Sequence, residues 1–171
     1  MNRHSFVPGS LVLAVGMAMS GQASAVTVTR DYLSHGTANC QSALPVFDGN
    51  VRKRPMAVAN EGTTTAFITC DSESINNTGT GFTEVAVYLR NRAGAAGITV
   101  GCTLVEGAFI ATGSFPKTSG AIPGAGGTSQ IIWTIADNAN NVFVSPAVSC
   151  ALPPGVDISL MQFKYAEDVG A

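Results

Sequence analysis

Along this chain apolar and polar residues alternate with a period of two far more often than they recur every three or four. Residues 98–105 show it most clearly. Ile98, Val100, Cys102 and Leu104 fall on one side of the repeat, and Thr99, Gly101, Thr103 and Val105 on the other. That is the pattern of a β-strand with one buried face, and here the buried face carries a cysteine. Residues 84–91 alternate as cleanly, with Val85, Val87 and Leu89 inward and Glu84, Tyr88 and Arg90 outward. The small-residue turn at 92–97 predicts that these two strands form a hairpin. Residues 63–70 place Ala66, Ile68 and Cys70 on one face and Phe67 on the other. Residues 130–136 group Ile131, Trp133 and Ile135. Residues 147–152 group Val148, Cys150 and Leu152, and residues 156–165 form a last strand. Shorter pieces are expected at 26–29, 56–58, 109–112 and 142–144.

Between the strands lie turn sequences. Asn60-Glu61-Gly62, residues 137–141 and Pro153-Pro154-Gly155 read as tight turns. Residues 31–41 are polar and turn-like, and 71–82 form a loop rich in Ser, Asn, Thr and Gly. Residues 114–128 contain Pro116, Pro123 and several glycines, which predicts a long loop without regular structure. Eight or nine short strands and no amphipathic helix define the expected class. It is all-β, an antiparallel β-sandwich of jelly-roll or immunoglobulin-like form.

The N-terminus changes the picture of where this domain works. Met1-Asn2-Arg3-His4 is a short positive start, 11–19 is a compact apolar run, and Ala23-Ser24-Ala25 is a small-x-small cleavage signal. Together they predict a secretory signal peptide over 1–25, followed by a single domain over 26–171. The apolar run is too short for a bilayer core, and no membrane span is expected in the mature chain. The expected location is secreted or periplasmic. Cleavage leaves eight basic and eleven acidic side chains, a net charge of about −3. That balance gives no electrostatic argument for nucleic acid. Charged residues make up only 12%, which suits an exported all-β domain better than a helical bundle.

Cys40, Cys70, Cys102 and Cys150 all lie in the mature part. An even number of cysteines in an exported chain reads as two disulfides. No C-x-x-C pair suggests a metal instead. Of the three possible connectivities we expect Cys40 with Cys70 and Cys102 with Cys150, clamping two layers of extended chain together.

Asn60-Glu61-Gly62 leading into Ala66-Phe67-Ile68-Thr69-Cys70, then Gly101-Cys102-Thr103-Leu104, then Ser149-Cys150-Ala151-Leu152-Pro153-Pro154-Gly155 and Ile158 form a set of landmarks. In these the chain resembles a loosely defined group of small exported bacterial proteins with four cysteines and unknown function. In that group Cys70 is often followed by Pro-Leu, where this chain has Asp71-Ser72. The resemblance implies a secreted β domain and carries no activity or functional residues.

Candidate chemistry is sparse. Histidine in the mature chain is limited to His35, and no G-x-S-x-G turn accompanies it to hold a nucleophilic serine. Glu84, Glu106 and Asp137 are the carboxylates to consider for a glycosidase-like acid and base pair, although their spacing singles out no pair. Asp71 with Glu73, or Asp137 with Asn138 and Asn140, could supply oxygens to calcium, but both stretches are also good turn sequences. No phosphate loop or dinucleotide fingerprint is present, and no cofactor is expected. Arg52-Lys53-Arg54-Pro55 is the one basic run. It would suit contact with a phosphate, sulfate or carboxylate group, or else it is a solvated loop or protected strand edge. Trp133 reads first as a core filler and second as a ligand-stacking platform.

The expectation is therefore a non-catalytic exported β-sandwich that binds a glycan, an envelope component or a protein partner. Tyr32, Tyr88, Trp133, Arg52, Lys53 and Arg54 are its candidate contacts. One alternative is a structural subunit of a surface layer, coat or pilus-like fibre joined by strand addition, suggested by the alternating stretch 156–165. The other is a hydrolase.

Overall fold

The computed structural model describes residues 26–72, 81–92, 94–107 and 113–170. The expected signal peptide, the strand at 109–112 and Glu73 lie outside the described residues. Eleven strands are seen among those described. They are β1 (Thr27–His35), β2 (Cys40–Ser42), β3 (Val51–Arg54), β4 (Ala57–Asn60), β5 (Ala66–Asp71), β6 (Phe82–Asn91), β7 (Gly101–Glu106), β8 (Gly113–Thr118), β9 (Thr128–Thr134), β10 (Pro146–Leu152) and β11 (Val156–Asp168). They form two antiparallel sheets packed face to face. One runs β3-β4-β11-β6-β9, with β1 also paired to β11. The other runs β2-β5-β10-β7-β8.

The alternation read from the sequence is what fills the space between them. The six-stranded sheet contributes Val85, Val87, Leu89, Ile131, Trp133, Ile158, Met161 and Phe163. The five-stranded sheet contributes Ile68, Leu104, Val148 and Leu152. All are buried in one core. Both disulfides pair as expected, Cys40 with Cys70 and Cys102 with Cys150. They do not clamp the two layers, however. Cys40 stands opposite Cys70 in the β2–β5 ladder, and Cys102 stands opposite Cys150 in the β7–β10 ladder. Each bridge therefore joins neighbouring strands within one sheet, on its core face.

Three other expectations are corrected. Residues 84–91 and 98–105 do not form a hairpin. β6 pairs with β11 and β9, while β7 pairs with β10 and β8. Alternation reveals which side chains face inward but not which sheet receives them. Residues 113–118 are a strand despite Pro116, because β8 is the outermost strand of its sheet and a missing N–H is tolerated at an edge. The polar stretch from Asp31 continues β1 to His35, with Tyr32 and Ser34 facing the core and their neighbours facing outward.

β11 is the centre of the larger sheet. β6 lies along one side of it, and β4 and then β1 lie along the other. A short helix, α1 (Gly36–Asn39), carries the chain from β1 across to β2. Gly36 is required there, because an added Cβ would lie 2.3 Å from the Ile158 carbonyl oxygen.

The two flanks of the sandwich differ. Where β8 faces β9, side chains stitch the sheets together. The Trp133 indole donates to the Phe115 carbonyl at 2.7 Å, and the Lys117 ammonium donates to the Ile132 carbonyl at 2.7 Å and to the Asp137 carboxylate at 2.7 Å. Where β2 faces β3, the flank is open.

Candidate functional site

The open flank forms a groove between two strands that each end a sheet. Its larger part, about 460 Å³, is lined by Gln41, Ser42, Pro45, Asp48, Val51 and Lys53. A second depression of about 280 Å³ continues it past Ala38, Asn39, Cys40, Gln41, Lys53 and Asp71. Lys53 and Gln41 border both. The lining is set by local structure. β2 is only three residues long before a 3-10 turn at Pro45–Phe47, and that turn swings Asp48 back to accept a hydrogen bond from the Ser42 hydroxyl. The Lys53 ammonium reaches across the flank to the Thr37 carbonyl at 3.2 Å. The Asn39 side-chain nitrogen is buried and has no hydrogen-bond partner among the described residues. The groove thus offers amides, a hydroxyl, two carboxylates and an ammonium, with Pro45 and Val51 as its apolar wall. Beside it the 3-10 turn sets Phe47 against Phe67, with ring centroids 5.7 Å apart, and Phe67 is 47% exposed.

Strand alternation sorts the six side chains singled out from the sequence. Tyr32 and Trp133 lie in one row on the core face, through Phe163 and Val85. Trp133 is fully buried, so it is a core residue and offers no surface for a ligand to stack on. Tyr32 packs on Phe163 at 6.1 Å. Tyr88 faces outward from the larger sheet, and its hydroxyl donates to Gln162 at 2.7 Å. The Gln162 amide donates in turn to Asp31 at 2.9 Å. Arg52 and Arg54 stand on that same outer face, while Lys53, between them, turns to the groove. The structure therefore brings Arg52, Arg54 and Tyr88 to one face and separates them from Tyr32 and Trp133.

Several participants were missed from the sequence. Asp157 is wholly buried yet lies on the outer side of β11, in the row Arg52, Ala59, Asp157, Arg90. Arg90 grips it through Nε at 3.1 Å and Nη2 at 2.7 Å, and Arg92 Nε lies 3.8 Å away. Glu61, in the turn after β4, pairs with both Arg54 and Arg92. Hydrogen bonds from Arg54 hold the Glu61 carboxyl below the usual carboxylate range, and the same contact raises the Arg54 guanidinium. Only the outward phase of Asp157 in its strand hinted at this cluster.

The carboxylates weighed for catalysis have structural partners. Glu84 pairs with Lys164 at 2.9 Å, and its hydrogen bond raises the Lys164 ammonium. Glu106 accepts from the Asn138 amide at 2.8 Å and from the Val144 N–H at 3.1 Å. Asp137 accepts from the Thr134 N–H at 2.8 Å, closing the 3-10 turn at Ile135–Asn138. Partial burial pushes the Asp137 carboxyl up, but the bonds from Lys117 and Thr134 outweigh it and hold the group below its ordinary value. His35 is exposed where β1 meets α1. Among the described residues no group of three or more His, Cys, Asp or Glu could hold a metal ion.

No family model and no curated protein matches this chain in sequence. Among solved structures it is similar to a CBM4 carbohydrate-binding module, at 8% identity and a TM-score of 0.36, over 82% of this chain and 84% of that one. It is also similar to TmCBM61, solved in complex with beta-1,4-galactotriose, at 12% identity and a TM-score of 0.35, over 81% of this chain and 88% of that one. The two-sheet architecture stands on the strand pairing itself.

Proposed function

We propose that this chain is an exported, non-catalytic β-sandwich that binds a saccharide in the groove between β2 and β3. The observation that carries the reading is the groove itself: an open depression whose lining combines hydrogen-bond donors and acceptors. A polyhydroxylated ligand needs both at close spacing, because each hydroxyl donates once and accepts twice. The Asn39 side-chain nitrogen, buried and without a partner among the described residues, is a donor in want of an acceptor beside that groove. Phe67, exposed and packed on Phe47 of the turn that borders the groove, adds apolar surface nearby. Glu84, Glu106 and Asp137, the carboxylates weighed for catalysis, are engaged elsewhere and none of them borders the groove; of the two that do, Asp48 and Asp71, Asp48 is held by the Ser42 hydroxyl.

The stretch that suggested strand addition is used inside the fold. β11 is paired on both sides, so it offers no free edge for donation. Export is supported by the sequence of 1–25 and by two disulfides in the core.

A glycan array probed with the mature protein tests the proposal. Binding to at least one saccharide class is expected, together with its loss in Lys53→Ala and Gln41→Ala at unchanged thermal stability. An array without binding, or binding indifferent to both substitutions, overturns it. The protein should also elute as a monomer on size-exclusion chromatography.

A further inference from the structure

The outer face of the larger sheet, on the other side of β3 from the groove, gathers four guanidiniums. Arg52 and Arg54 come from β3, and Arg90 and Arg92 come from the end of β6 and the residue after it. Among the described residues they meet two carboxylates, Glu61 and Asp157. The Arg52 guanidinium donates to the backbone carbonyls of Asp48 at 3.0 Å and Val51 at 3.1 Å. The arginine cluster thus holds an excess of two positive charges over the carboxylates it meets, in a chain whose formal net charge is −2.

The two carboxylates leave the arginines work to do. Asp157 is buried beneath them and acts as an anchor, fixing the guanidinium of Arg90 from below. Glu61 engages one edge of Arg54 through Nε and Nη2 and only Nη1 of Arg92. A guanidinium carries five N–H donors in a rigid fork. Arg52, Arg54, Arg90 and Arg92 therefore keep donors directed to solvent. Arg92 and Glu61 also border a depression of about 390 Å³ with Asn60, Gly62, Pro154 and Gly155.

We propose that this face is an oxyanion site, taking a carboxylate or sulfate group carried by an acidic saccharide. The proposal rests on the groove reading and deepens it. β3 serves both surfaces, with Lys53 in the groove and Arg52 and Arg54 standing on the strand's other side. Planar, bidentate recognition of an oxyanion is what arginine does better than lysine. Here four arginines form the cluster, and the face's lysine, Lys164, is paired with Glu84 outside it.

Calorimetry with three probes tests it: oligogalacturonate for carboxylate, dextran sulfate for sulfate, and neutral dextran. At least one anionic probe should bind about tenfold more tightly than dextran, and that preference should shrink as sodium chloride rises to ~200 mM. Whichever anionic arm binds identifies the group. Arg52→Gln and Arg54→Gln, which leave the buried Asp157 pair intact, should each weaken anionic binding about fivefold without moving the melting temperature. Equal affinity for dextran and both anionic probes, or arginine variants that bind like wild type, would overturn the oxyanion site. Neutral saccharide binding that still depends on Lys53 would in that case leave the groove reading standing. Conversely, anionic binding lost in the arginine variants but untouched by Lys53→Ala would keep this site and sink the groove. Anionic vesicles or duplex DNA binding as tightly as the saccharides would show general charge attraction, and that also overturns the assignment.

Discussion

Removing the two cystines separately should cost different and calculable amounts. The bridges close loops that do not overlap in sequence, with separations of 30 residues for Cys40–Cys70 and 48 for Cys102–Cys150. Loop-closure entropy in the unfolded chain then gives roughly 3.6 kcal/mol for the first and roughly 4 kcal/mol for the second at 25 °C. Because the loops are separate, the entropic terms should add to between 7 and 8 kcal/mol, roughly half or more of the stability of an ordinary domain. Packing should couple them slightly, since the cystines lie on neighbouring ladder rows of one core face. The assay is equilibrium urea unfolding of C40A/C70A, of C102A/C150A and of the fourfold variant, followed by far-UV circular dichroism. The fourfold variant is expected to be largely unfolded without denaturant. Two paired variants that each lose less than about 1 kcal/mol would refute the reasoning. That result would mean that ladder pairing alone already restrains these strands in the denatured ensemble.

Arg90→Ala should destabilise the fold by about 2–4 kcal/mol in the same assay, because it strands a buried carboxylate. Asp157→Asn should cost less, and the double variant should recover part of the Arg90 loss. Trp133→Phe should cost about 1 kcal/mol by leaving the half-buried Phe115 carbonyl without its indole donor, read from urea midpoints. The Asp137 carboxyl is held below its unfolded value of about 3.9, so its pairing with Lys117 and Thr134 stabilises the fold above that pH. That contribution fades as pH falls through the depressed folded value. Thermal melts between pH 5 and pH 2 should therefore fall less steeply for Asp137→Asn than for wild type.

The sequence carried the burial pattern well. Val85, Val87 and Leu89, or Val148, Cys150 and Leu152, declare their inward face through simple alternation, and the core follows. Pairing partners were less visible, because a strand's side-chain phase is the same whichever neighbour it joins. Hence β6 and β7 looked like a hairpin but belong to opposite sheets. β8 was hidden by Pro116, whose usual meaning is reversed at an edge. The groove had no local signature at all. Gln41, Asp48 and Asp71 are ordinary loop and edge residues, and they meet Lys53 only because two sheets end side by side. The basic run at 52–54 was visible, but its split into two surfaces follows from the strand period combined with the position of β3. Arg92, Glu61 and Asp157 come together across three separate turns and strands, a proximity that no spacing along the chain records.

The position of β11 has a kinetic consequence. β1, β4 and β6 have no ladder with one another and are joined only through this one strand. Until it arrives, the larger sheet is a pair of hairpin-like fragments and an orphan strand with unsatisfied edges. Folding should then be slow and close to all-or-none, governed by the docking of a segment whose partners lie up to 141 positions upstream, as in the pairing of Thr27 with Asp168. A nascent chain halted before Val156 would remain a poor substrate for self-assembly and a good one for aggregation.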